Sequence, residues 1–137
     1  MKKTLVISFM LPAIICSAVY AGTLRPCMSS LRVPEPRLIY PTGETLSTGG
    51  AENVTFRWSP HEGFPMIGKY YDFRLYNGYD MVESTLILKE KISGRTHKHQ
   101  VPASVFRPGE TYTWALRMVY PFAGKSRKSF SSFLVVQ

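Results

Sequence analysis

A chain of 137 residues with a net charge of +8 and two cysteines holds one domain and an address segment. That excludes a multidomain enzyme and a disulfide-dense scaffold. With 45% hydrophobic and only 19% charged residues, it also excludes a chain too polar to bury a core.

The N-terminus reads as an export signal. Lys2 and Lys3 precede a largely apolar run from Leu5 to Val19, and Val19-Tyr20-Ala21 puts small residues at the −3 and −1 positions before Gly22. This order predicts a signal peptide over residues 1–21, of bacterial type, cleaved after Ala21. The run is shorter than the ~20 residues of a membrane span, and Pro12 interrupts it, so no transmembrane span is expected after processing. A retained anchor and a lipidated Cys16 are the alternatives, but Ile15 is not the small residue expected before a lipidated cysteine. The expected location is the periplasm or the extracellular space. Residues 22–35, with Pro26, Ser29, Ser30 and Pro34, read as a linker. Cys27 is the one cysteine left after cleavage, so no internal disulfide can form. An exposed thiol on a tether permits a Cys27-linked dimer; an inert thiol is the alternative.

From Pro36 onward the pattern is of short strands set off by turns. Arg37-Leu38-Ile39-Tyr40 lies between two prolines, as suits an edge strand. Residues 42–52 contain Gly43, Gly49 and Gly50 and read as a loop. Asn53–Ser59 alternates, with Val54, Phe56 and Trp58 on one face and Thr55 and Arg57 on the other. Residues 60–68 break the period. Lys69–Tyr76 alternates again, and Asn77-Gly78 is a turn dipeptide. Thr85–Ile92 sets Leu86, Leu88 and Ile92 against Ile87, Lys89 and Lys91. Thr96–Val101 is shorter and polar. Tyr112–Tyr120 carries Tyr112, Trp114, Leu116 and Met118 on one face, and Ser129–Val136 closes the chain. The expectation is an all-β, seven-stranded antiparallel sandwich over residues 36–137.

The order Pro-x-Leu-x-x-Pro, Val-x-Phe-x-Trp, Tyr-x-Phe-x-Leu, Val-Pro and Pro-Gly-x-x-Tyr-x-Trp-x-Leu resembles the fibronectin type III group of immunoglobulin-like sandwiches, across nearly all of the chain after cleavage. The resemblance implies that Trp58 packs against the opposite sheet. It also implies that Tyr112 forms a tyrosine corner, its hydroxyl bonded to backbone just upstream, and that Phe133 and Val135 alternate inward. Phe106 stands where a Leu is usual, and Phe130 where a Trp is common; both swaps are apolar. Function does not follow, because such modules serve adhesion, spacing, recognition and inhibition alike.

Catalytic signatures are missing from the sequence. No serine sits in a Gly-x-Ser-x-Gly elbow and no carboxylate pair has a glycosidase setting, so no enzymatic activity and no cofactor are expected. His97 and His99, two apart, share a face if both lie on one strand and can offer two imidazoles to a metal, with His61 or a carboxylate as third ligand. A histidine tucked at the edge of the core is the plainer reading, and no metal is expected.

Charge is the remaining signal. Residues 22–90 carry seven Lys and Arg against eight Asp and Glu, whereas residues 91–137 carry eight against Glu110 alone. If strands 69–76 and 112–120 are neighbours, Tyr70, Arg74, Tyr76 and Arg117 face outward, extended by Lys89 and Lys91. That mixture of aromatic and cationic groups suits an anionic polymer or an acidic protein surface. On this reading, reversing Arg74 and Arg117 to Glu weakens capture without affecting stability. The segment Tyr120–Lys128 adds Phe122 beside Lys125, Arg127 and Lys128. The functional expectation is an exported, non-catalytic binding module that recognises a protein or anionic polysaccharide of the envelope, with no nucleic acid partner. An inhibitor that inserts its end loops into a protease-type cleft, and a metal-binding or hydrolytic protein centred on the histidines, are the alternatives.

Overall fold

Large residues at every second position need a dry face on each strand, and two such faces must meet. The structure, a computed structural model, describes residues 32–60 and 67–137. The expected signal peptide, Cys27 and His61 lie outside the described residues. Among the described residues there are nine strands: β1 (Arg37–Tyr40), β2 (Thr45–Ser47), β3 (Asn53–Ser59), β4 (Tyr70–Asn77), β5 (Leu86–Ser93), β6 (Lys98–Pro102), β7 (Thr111–Tyr120), β8 (Gly124–Lys125) and β9 (Ser129–Val136). They form a smaller sheet in the order β1-β3-β6 and a larger one in the order β2-β9-β7-β4-β5, with β8 added alongside β7. This is an all-β sandwich of two facing sheets.

The core lies where the two alternations meet. Phe56 and Trp58 of β3, Tyr71, Phe73 and Leu75 of β4, Tyr112, Trp114, Leu116 and Met118 of β7, and Phe133 and Val135 of β9 are all at most 2% exposed. Phe56 packs edge-on against Phe73 at 5.2 Å and Trp114 at 5.1 Å, and Trp58 meets Tyr71 at 5.2 Å. Rings in such tilted arrangements gain about 1 kcal/mol beyond their burial. Trp114 also keeps its polar edge satisfied, its Nε1–H donating to the Pro41 carbonyl at 2.8 Å.

The tyrosine corner has the geometry that the resemblance implies. The backbone N–H of Arg107 donates to the Tyr112 hydroxyl at 2.9 Å, and that hydroxyl donates to Glu110 Oε2, also at 2.9 Å. Burial, the largest influence, together with the neighbouring Glu110 carboxylate raises the phenol pKa; the Arg107 N–H opposes them. Gly109, at φ 86°, supplies the left-handed turn that leads into β7, and its N–H donates to the Val135 carbonyl of β9 at 2.8 Å.

Two expectations need revision. Residues 42–52 are not wholly a loop: β2 pairs in parallel with β9, aligning Leu46 with Val135. Its three residues carry one apolar side chain, too short a run to show a period. Asn77-Gly78 turns as expected, with Gly78 at φ 80°. A short 3-10 turn at Glu83–Thr85 intervenes before β5. Finally, the boundary drawn between residues 35 and 36 falls within packed chain, since Val33 is 6% exposed and belongs to the core.

Candidate functional site

The outer face of the larger sheet carries Tyr70, Arg74 and Arg117, three of the residues expected to bind. β4 and β7 are neighbours as expected, and their register places Asp72 opposite Arg117 and Arg74 opposite Ala115. Asp72 lies between both guanidiniums, 3.1 Å from Arg74 Nη2 and 2.7 Å from Arg117 Nη2. These side chains are only 17% and 22% exposed. Burial pushes the Asp72 carboxyl pKa up, but the hydrogen bonds and charges of Arg74 and Arg117 together outweigh it and hold the carboxyl below its ordinary range. An ionic triad already satisfied within the sheet offers little free charge to a ligand. Tyr70 is engaged too, with Lys91 Nζ 4.1 Å from its ring centroid. Tyr76, expected to face a partner, is 2% exposed. A bulge between β4 and β5 at Leu75/Tyr76 interrupts the alternation there. What this face exposes is a mixture of apolar Ile87, Phe130 and Leu134 with the cations Lys89 and Lys91.

The Tyr120–Lys128 segment is more open. Pairing of Tyr120 with Gly124 and of Val119 with Lys125 makes it a tight hairpin between β7 and β8. The Ala123 N–H donates to the Tyr120 carbonyl at 3.1 Å, closing a turn over Pro121 and Phe122. Below the tip, buried Ser126 anchors the hairpin. Its N–H donates to the Met118 carbonyl at 2.8 Å, and its hydroxyl accepts from the Met118 N–H at 2.9 Å while donating to the Arg127 carbonyl at 2.7 Å. Phe122 stands 89% exposed on this support. Lys125 and Lys128 are exposed beyond it, and Arg127 lies 3.9 Å from Glu35.

The histidines separate. His99 lies on the inner face of β6, its ring 4.9 Å from that of Phe73. His97 precedes β6 and lines a depression on the outer side of the smaller sheet. Among the described residues, no group of three His, Cys, Asp or Glu side chains is placed to hold a metal.

That depression, of about 750 Å³, is lined by Ile39, Tyr40, Thr55, Arg57, His97 and Lys98. The outward position of Arg57 was legible from the Val-x-Phe-x-Trp alternation. Its partner was not, because only sheet pairing brings Lys98 directly opposite Arg57. The cations that crowd residues 91–137 therefore do not form one surface: Arg117 is on one sheet, Lys98 on the other, and Lys125 on a hairpin.

No protein-family description and no curated protein matches the sequence. Among solved structures, the chain is similar to the third fibronectin III domain of the human KIAA0343 protein. The identity is 14%, with 86% of this chain and 94% of that one covered, and the TM-score is 0.45.

Proposed function

We propose that the protein is an exported, non-catalytic binding module that docks an acidic partner of the cell envelope or extracellular space through its Tyr120–Lys128 hairpin. The observation that carries this reading is Phe122, 89% exposed at the tip of a turn braced from below by Ser126. A large ring left in water is costly unless a partner covers it, and a tip held in place loses little freedom on binding. Lys125 and Lys128 stand beside it and, among the described residues, form no ion pair, so they remain available for an acidic surface. Arg74 and Arg117, by contrast, serve the sheet.

The same braced tip also suits the second reading, an inhibitor whose Phe122 enters an enzyme cleft. Crosslinking in the native host, followed by identification of the attached molecule, tests both. An acidic envelope component whose capture weakens with salt and with Phe122→Ala supports docking. A protease or other hydrolase held in a salt-insensitive complex supports inhibition. Capture unaffected by Phe122→Ala defeats both.

A further inference from the structure

We infer that the depression on the outer face of the smaller sheet is a sugar-phosphate site, with Arg57 and Lys98 holding the phosphate. This inference is independent of the hairpin, which belongs to the other sheet.

Arg57 and Lys98 are directly opposite in the β3–β6 register, and both are exposed. Like charges in that relationship destabilise a sheet, and nothing on the same face relieves them. The outward positions are Arg37 and Ile39 on β1, Asn53, Thr55, Arg57 and Ser59 on β3, and Lys98, Gln100 and Pro102 on β6, with no carboxylate among them. Three other cations do have an acid close by: Asp72 lies between Arg74 and Arg117, and Glu35 is close to Arg127. Among the described residues, neither Arg57 nor Lys98 has such a partner. His97 adds a third nitrogen donor or cation on the same rim.

A guanidinium fork and an ammonium side by side match the oxygens of a phosphate. The depression, about 750 Å³, is far larger than one oxyanion and falls within the range for small-ligand sites. Its remaining wall is Ile39, 49% exposed, with Tyr40 and Thr55. An apolar and an aromatic residue beside a threonine suit the C–H face and hydroxyls of a sugar ring carrying that phosphate.

The test is calorimetric titration of the purified protein with glucose 6-phosphate, inorganic phosphate and glucose, together with melting curves in phosphate-free buffer. The expected result is that glucose 6-phosphate binds at least about 10-fold more tightly than inorganic phosphate and that glucose gives no signal. Arg57→Gln and Lys98→Gln should each weaken glucose 6-phosphate at least about 10-fold while raising the melting temperature by about 2 °C, because each removes an unrelieved repulsion. Lys89→Gln, on the larger sheet, should leave binding unchanged. Equal affinity for glucose 6-phosphate and inorganic phosphate would overturn the sugar site, and binding that survives both Arg57→Gln and Lys98→Gln would overturn the assignment of the phosphate contacts. A variant that loses both binding and stability would show a structural role instead and would equally defeat the inference.

Discussion

His99 Nε2 lies 2.9 Å from Glu90 Oε2, and this contact joins the two sheets along one open side of the sandwich. His99 is on β6, the last strand of the smaller sheet, and Glu90 on β5, the last strand of the larger. Burial of the imidazole, the dominant influence, holds its pKa below the ordinary 6.5, and the Glu90 carboxylate only partly offsets this. The folded state therefore takes up a proton at His99 less readily than the unfolded chain does. The associated stability is complete above pH 6.5 and declines as the pH falls from there through the lower, folded-state value. Denaturant melts at pH 7.5 and pH 5 should show lower stability at pH 5, and Glu90→Gln should move the His99 titration, followed by NMR, still lower. A His99 titration that rises in Glu90→Gln would reverse the assignment of causes.

Asp72→Asn leaves Arg74 and Arg117 facing each other across β4 and β7 with their shared anion gone. The triad is partly solvated, so the expected loss is about 2 kcal/mol rather than the 3–5 of a fully buried pair. In the wild type, the depressed Asp72 pKa makes this contribution complete above pH 3.8, and it is lost as acid protonates the carboxylate below that. Chemical denaturation of both proteins across pH 2–6 checks it: the gap between them should close at the acid end. The same geometry overturns the expectation that Arg74 and Arg117 can be reversed without penalty, because Glu at both positions would crowd three carboxylates together.

Tyr112→Phe keeps the ring and removes the hydroxyl that accepts from the Arg107 N–H and donates to Glu110. A destabilisation of about 1–2 kcal/mol is expected in urea melts. Loss of protection at the Arg107 amide in hydrogen exchange would assign the effect to the corner rather than to packing.

Gly94→Ala should be disproportionately harmful for a residue in a turn. A Cβ there would collide with the Lys69 carbonyl, and the Gly94 N–H donates to that same oxygen at 3.0 Å. The backbone would have to separate, at a cost of about 1–3 kcal/mol. Gly43→Ala is the comparison that isolates the collision: Gly43 has a positive φ but nothing near its missing Cβ, so it should suffer only the conformational penalty of about 1 kcal/mol.

Phe122→Ala should change stability by less than about 0.5 kcal/mol, since the ring covers nothing in its own domain. A larger loss in thermal melts would mean that the ring packs onto its own domain in solution, and the docking role would fall with it.

Burial by alternate residues was readable from the chain itself. Val54-Thr55-Phe56-Arg57-Trp58 and Tyr112 through Met118 place their large side chains with period two, and only facing sheets can hide such stripes from water. Pro-Gly before β7 and the prolines flanking β1 likewise carry their backbone consequences locally, as does the corner that Tyr112 closes five residues back. What the chain alone left open depends on neighbours far apart in sequence. Tyr76 and Tyr70 look alike on the alternation of β4, but a bulge against β5 buries the former. Arg74 and Arg117 look like free cations until β7 aligns Arg117 with Asp72. Arg57 and Lys98 become a single site only when β3 pairs with β6. Whether a charge is spent within the fold or left for a ligand is set by distances across strands, and pairing of strands distant in the chain is what tertiary structure adds.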